Sequence, residues 1–149
     1  MVVSFALQIT FAILFTLRGN VNAVYVVFTT MALLAIKLWL KQLIKPAILV
    51  SIVCFLLIGL WTSKDVYDWI LVLGNICYSF HVFFNAKDIA GSKKASFHTK
   101  ISQYFLLAFN LGWIIFNAKR EIYGAMWSAV FSAITTAISI WWPKKQKKD

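Results

Sequence analysis

The apolar residues of this chain fall into six blocks, each near the length of a membrane-crossing helix and each bounded by a basic or turn-forming stretch. The blocks cover residues 1–17, 21–40, 44–61, 66–85, 101–117 and 122–142. A helix rises about 1.5 Å per residue, so about 20 residues cross roughly 30 Å of hydrocarbon. Breakers stand between the blocks: Arg18, Gly19 and Asn20 after the first, Pro46 near the start of the third, Thr62 to Asp65 after it, and Gly91 in the longest loop. With 61% hydrophobic and 13% charged residues, the chain is far from the about 45–50% and about 25% of a soluble domain. Strand-length alternation is absent, which argues against a transmembrane barrel. The predicted fold is all-α: a polytopic transmembrane bundle of six helices in one domain, residues 1–142, followed by a basic tail, 143–149. The first basic residue, Arg18, follows the first block rather than preceding it, so that block is expected to stay as a helix and not to be cleaved as a secretory signal.

The net charge of +10 comes from residues placed between the blocks and after the last, which points to membrane topology rather than to nucleic acid. One side of the predicted bundle receives Lys37, Lys41, Lys45, Lys87, Lys93, Lys94, Lys100, Lys144, Lys145, Lys147 and Lys148; the other receives only Arg18, Lys64, Lys119 and Arg120. Positive loops stay cytoplasmic, so both termini are expected inside. Trp39, Trp141 and Trp142 fall at inner helix ends and Trp61, Trp69, Trp113 and Trp127 near outer ones, as an aromatic belt at each interface predicts.

The first two and last two blocks read as relatives at an offset of 101–102 residues. Ile13 and Phe15 match Ile114 and Phe116 at the first offset; Ala35, Ile36 and Trp39 match Ala137, Ile138 and Trp141 at the second. Both pairs run in the same direction, which fits a parallel internal repeat of the kind found in small transporters. In a plan of three helices, one linker and three helices, the third helix is the linker, the fourth opens the second repeat, and the first helix of the first repeat is missing.

The stretch "WIIFNAKREIYGAM" (113–126), through Trp113, Ile115, Asn117, Gly124 and Met126, and the ending "SIWW" (139–142), resemble the YgjV family of bacterial inner-membrane proteins. The resemblance runs over nearly the whole chain. It implies a further amino-terminal helix, the piece that the repeat lacks, and it carries no established activity. The helix plan is similar to that of SWEET sugar transporters and PnuC vitamin transporters, a likeness of fold alone. The family's last helix tends to carry asparagines and an arginine where this chain has Thr135, Thr136 and Ser139.

Polar residues inside apolar helices mark either helix contacts or a solute path, because lipid cannot satisfy them. Gln103, Asn110 and Asn117 recur every seventh residue and form one stripe on the fifth helix, with Asn110 at mid-membrane. Together with Asn75 and Trp113, that stripe is the candidate substrate path. On the last helix Gly124, Ser128, Ser132, Thr135 and Ser139 form a small-residue row suited to close helix packing, and a natural partner for the amides. His81 is expected to be a hydrogen-bonded histidine within about two turns of the cytoplasmic end, and Asp65 and Asp68 to cap the fourth helix.

Enzymatic chemistry has little support. The chain has five acidic residues, none at mid-membrane, no HExxH sequence and no glycine-rich phosphate loop. Cys54 and Cys77 read as buried small hydrophobes, so neither metal nor cofactor is expected. His98 sits in the lysine-rich loop 86–100 without a nucleophile beside it; that loop and the tail could hold anionic lipid. Two functions follow: passage of a small neutral or weakly charged solute, or a non-transporting membrane component that binds a partner protein, anionic lipid or a second copy of itself.

Overall fold

The computed structural model describes residues 2–88 and 95–142. Six helices run up and down in sequence: α1 (Val2–Leu17), α2 (Val21–Trp39), α3 (Ile44–Thr62), α4 (Val66–Asp88), α5 (Ala95–Lys119) and α6 (Tyr123–Trp141). A single 3₁₀ turn, Lys41–Leu43, links α2 to α3, and no strand occurs among the described residues. Four helices are long and apolar enough to cross a membrane, at Ile44–Thr62, Val66–Asn85, Thr99–Lys119 and Tyr123–Trp141, while Gln8–Leu17 and Val21–Lys37 are shorter apolar stretches. Predicted and observed ends agree within a few residues except around the long loop. There α4 runs on to Asp88 and α5 begins at Ala95, beyond the apolar segments that set the predicted ends. The predicted tail, 143–149, and the loop lysines Lys93 and Lys94 lie outside the described residues.

Three turns share one end of the bundle. Asn22 Nδ2 donates to Ser63 Oγ at 3.0 Å, tying the α1–α2 turn to the α3–α4 turn. Arg120 donates to Asp65 at 3.0 Å and Asp68 at 2.9 Å, tying the α5–α6 turn to the same place. This is called the Arg120 end below, and the opposite one the Lys45 end. Asp65 Oδ1 also accepts from the backbone N–H of Tyr67 and Asp68, while Asp68 Oδ2 accepts from Lys64 N–H. The two carboxylates therefore satisfy orphan donors at the start of α4, as expected of caps, and in addition neutralise an arginine that the sequence reading had left as a topological charge.

The turns of α1–α2 and α5–α6 are built alike. Gly19 N–H bonds to Thr16 O and Asn20 N–H to Phe15 O; 102 residues on, Glu121 N–H bonds to Ala118 O and Ile122 N–H to Asn117 O. Both are Schellman turns, whose closing residue must enter the left-handed region: Gly19 has φ 67° and Glu121 φ 57°. The helices that follow are each 19 residues long and each end in a tryptophan. The shared turn geometry thus sets a repeat register of 102.

The closest helix crossing is between α4 and α5. A Cβ on Gly112 would lie 3.2 Å from Ile70 O and 3.3 Å from Gly74 Cα, so glycine is required for the two backbones to approach this closely. Around it pack Tyr78 on Phe109, with ring centroids 4.9 Å apart, and Phe105 between Phe80 and Phe84 at 5.3 and 5.7 Å. The main core cluster joins Phe15, Val26, Val27, Phe55, Leu71, Val72 and Phe116, all fully buried.

Candidate functional site

Along α4, polar side chains are satisfied by neighbouring helices. Asn75 Oδ1 accepts from Thr30 Oγ1 of α2 at 3.0 Å, and its Nδ2 donates to Leu71 O at 2.8 Å. Ser79 Oγ lies 3.1 Å from Ser51 Oγ of α3. His81 Nδ1 lies 2.9 Å from Ser102 O and 2.8 Å from Ser102 Oγ, and that hydroxyl donates to His81 O at 3.2 Å. With a proton on Nδ1 donated to the Ser102 carbonyl and the Ser102 hydroxyl donating to His81 O, two hydrogens serve the three contacts, and the Nδ1–Oγ approach carries none of its own. Helix α4 is therefore the polar spine of the bundle, bonded in turn to α2, α3 and α5.

The other side of α5 differs. A cavity of about 220 Å³ lies between α1, α5 and α6, lined by Gln8, Phe11, Phe109, Asn110, Trp113, Ala125, Ser128, Ala129 and Ser132. Gln8, Asn110 and Ser132 each stand nine residues from the Arg120 end of their own helix. At about 1.5 Å per residue they share a depth of about 14 Å, near the middle of a roughly 30 Å hydrocarbon core. The cavity is thus a polar ring at one level of the bundle.

Its polar groups are largely without partners. Asn110 Nδ2 donates to Leu106 O in its own helix at 3.0 Å, and Oδ1 accepts no hydrogen bond among the described residues. Ser128 and Ser132 hydroxyls and the Gln8 amide likewise have none there, whereas Thr135, Thr136 and Ser139 on the same α6 all donate to backbone carbonyls. Trp113 Nε1 is buried without a partner. Toward the Arg120 end the seam between α1 and α5 is closed by three rings: Phe15 lies 5.6 Å from Trp113 and 6.2 Å from Phe116, and Trp113 lies 6.2 Å from Phe116.

The repeat register gives this lining a pattern. Gln8 and Phe11 of α1 stand 102 residues before Asn110 and Trp113 of α5, and all four line the cavity. α1 and α5 each contribute one amide, and an aromatic ring three residues after it, to the same cavity.

The residues singled out from the sequence part company here. Asn110 and Trp113 line the cavity, but Asn75, Asn117 and Gln103 do not. Asn75 is bonded between α2 and α4; Asn117 is fully buried, donating to Trp113 O at 2.8 Å with Oδ1 unpartnered; Gln103 is half-buried, accepting from Ser139 Oγ at 3.4 Å. The seven-residue stripe is real on the helix and crosses three environments, because α5 meets different neighbours along its length. Trp113, expected in an interfacial belt, is 8% exposed, while Trp39, Trp61, Trp127, Trp141 and Trp142 are exposed as a belt requires. The small row of α6 needs a correction too. Its packed face is Ala125, Ala129, Ala133 and Thr136, one residue round from the expected Gly124, Ser128, Ser132, Thr135 and Ser139. Alanine allows the same close approach without a hydroxyl to satisfy. Gly124, Ser128, Thr135 and Ser139 are exposed, and Ser132 faces the cavity. Gln8 was missed, although the repeat pairs it with Asn110.

No group of three or more metal-binding side chains occurs among the described residues. No family model, curated protein or solved structure matches the chain.

Proposed function

We propose that the chain is a bacterial inner-membrane protein of the YgjV type, with both termini cytoplasmic, that binds and passes a small neutral polar solute through the cavity at Gln8, Asn110 and Ser132. One observation carries this reading. In an apolar bundle whose other polar side chains are largely bonded across or within helices, two amides, two hydroxyls and a buried indole N–H line one cavity at mid-depth, while the other buried unpartnered atoms, Asn22 Oδ1, Asn117 Oδ1 and Arg120 Nε, lie at the Arg120 end. Such groups in a bilayer require a wet or ligand-bearing site, since lipid offers no hydrogen bonds.

The lining specifies the solute's chemistry. It carries no charged side chain, so a free ion would enter without a counter-charge. Two amides and two hydroxyls offer both donors and acceptors, and Phe11, Phe109 and Trp113 give flat apolar walls. A volume of about 220 Å³ corresponds to about seven waters at roughly 30 Å³ each, which limits the solute to a small molecule. The ring cluster of Phe15, Trp113 and Phe116 acts as the periplasmic barrier. A rocking of the α1–α2 pair against α5–α6 would part those rings, as in parallel-repeat transporters.

The test is uptake into proteoliposomes across a panel of neutral polar solutes. Asn110→Leu and Gln8→Leu should each abolish uptake of the solute that the wild-type protein admits, with folding and insertion unchanged. Thr30→Val, which alters a packing bond elsewhere, should leave transport intact. Equal uptake by all four proteins would refute the reading. The exposed Gly124, Thr135 and Ser139 of α6 favour the second reading, a membrane component that docks a partner helix or a second copy. That reading gains if Gly124→Leu disrupts an assembly while no solute is transported.

A further inference from the structure

Away from the cavity, α2 and α3 diverge to leave a groove along their shared outer side. Two cavities lie end to end in it. The one at the Arg120 end, about 660 Å³, is lined by Val21, Tyr25, Leu57, Ile58, Trp61 and the sequence Thr62-Ser63-Lys64. The one toward the Lys45 end, about 550 Å³, runs between Phe28, Ala32 and Ile36 on α2 and Pro46, Val50 and Cys54 on α3. Along the first, Tyr25, Leu57 and Ile58 line the part nearer the middle of the helices, and Ser63 and Lys64 the part at the Arg120 end. Ser63 Oγ accepts from Asn22 Nδ2, which leaves its own proton to donate outward, and Lys64 makes no ion pair among the described residues. The second cavity has no charged residue in its lining, so the one ammonium on the groove is that of Lys64.

We infer that this groove is a phospholipid site, holding an anionic phospholipid with its acyl chains between α2 and α3 and its phosphate on Lys64. The inference rests on the chain spanning the membrane and not on the transport reading. Acyl chains gain little by leaving bulk lipid for an apolar groove, so retention depends on the head group, where an ammonium and a free hydroxyl proton meet a phosphate. A second copy of the chain fits less well. In a symmetric side-by-side contact it would set Lys64 near its partner's equivalent, placing like charges together. Bulky Tyr25, Phe28, Val50 and Leu57, exposed by 52%, 56%, 60% and 57%, would also hold a helix away.

The test is native mass spectrometry of the full chain, released from detergent after titration with phosphatidylglycerol or with phosphatidylcholine bearing the same acyl chains. The wild-type protein should retain phosphatidylglycerol about fivefold more than phosphatidylcholine, the ratio expected of one basic group at a membrane surface. Lys64→Gln should remove about fivefold of that preference, while Lys119→Gln, at the same end but over the Tyr67 ring, should not. Leu57→Trp, which fills the groove, should reduce retention of both lipids; Leu60→Trp, outside the groove lining, should not. Equal retention of the two lipids, or equal behaviour of Lys64→Gln and Lys119→Gln, would overturn the inference. Loss of a dimer rather than of lipid in Leu57→Trp would do so as well, and would assign the groove to a second copy.

Discussion

Helix α5 has two sides that use the same residue types to opposite effect. Toward α4 it presents Gly112 for close backbone approach, Ser102 for a bonded histidine, and Phe105 and Phe109 for ring packing, so that the two helices form the most extensive contact in the bundle. Toward α1 and α6 it presents Asn110 and Trp113, which end in a cavity with polar atoms unsatisfied. A polar group in a membrane bundle fixes a helix pair only when its partner is within reach. Where no partner is in reach, the same group favours water or a ligand. The α4–α5 pair is on this account a rigid unit, and the gap between α1 and α6 is where solute and motion belong.

The comparison can be broken most severely at Gly112. Gly112→Leu drives a side chain into Ile70 O and Gly74 Cα, forcing apart helices that cannot otherwise relax, at a cost of about 3 kcal/mol. Thermal unfolding in detergent should show the loss, and an unchanged midpoint would mean that α4 and α5 are not held at this crossing. Arg120→Gln comes next. It strands Asp68, 4% exposed at its side chain, without its guanidinium partner and should cost about 2–3 kcal/mol by the same measurement. Thr30→Val removes the bond to Asn75 and should cost about 1 kcal/mol, within the range of single hydrogen bonds between membrane helices. The smallest effect has the opposite sign. Glu121 occupies the left-handed turn position that Gly19 fills in the other repeat, so Glu121→Gly should stabilise the chain by about 0.5–1 kcal/mol. A destabilised Glu121→Gly variant would show that the glutamate makes a contribution beyond the turn.

Much of this architecture was legible in the residues. Apolar blocks and breakers locate six helices because, in lipid, hydropathy and length leave few alternatives to a spanning helix. Asp65 and Asp68 read as caps because their purpose is local to the chain. The likeness of the two helix pairs was visible in Trp39 and Trp141, at the spacing of 102 that the backbone bonds of the turns set, with glycine in one turn answering to glutamate in the other; Ile13 and Phe15, matched to Ile114 and Phe116 at 101, fall one residue out of that register. Partners across helices were not legible. Nothing in the sequence distinguishes Asn75, bonded to Thr30, from Asn110, facing a cavity, because the difference lies in which helix stands opposite. The same holds for α6, where the serine row and the alanine row differ by about 100° on the helix and only packing selects the alanines.

The most direct test of the central claim is cysteine accessibility, with Asn75, nine residues from the Arg120 end of α4, at the depth of Gln8, Asn110 and Ser132. Single cysteines at Gln8, Asn110, Ser132, Asn75, Ser79 and Ser102 would be placed in a background with Cys54 and Cys77 replaced, and exposed to a small membrane-impermeant thiol reagent in proteoliposomes, from each side in turn. Positions 8, 110 and 132 should react with similar rates, since they share one wet cavity, while positions 75, 79 and 102 should be protected by the helices bonded across them. Equal protection at all six positions, or reaction at position 75 as fast as at 110, would contradict the division of the bundle into a satisfied spine and an unsatisfied cavity.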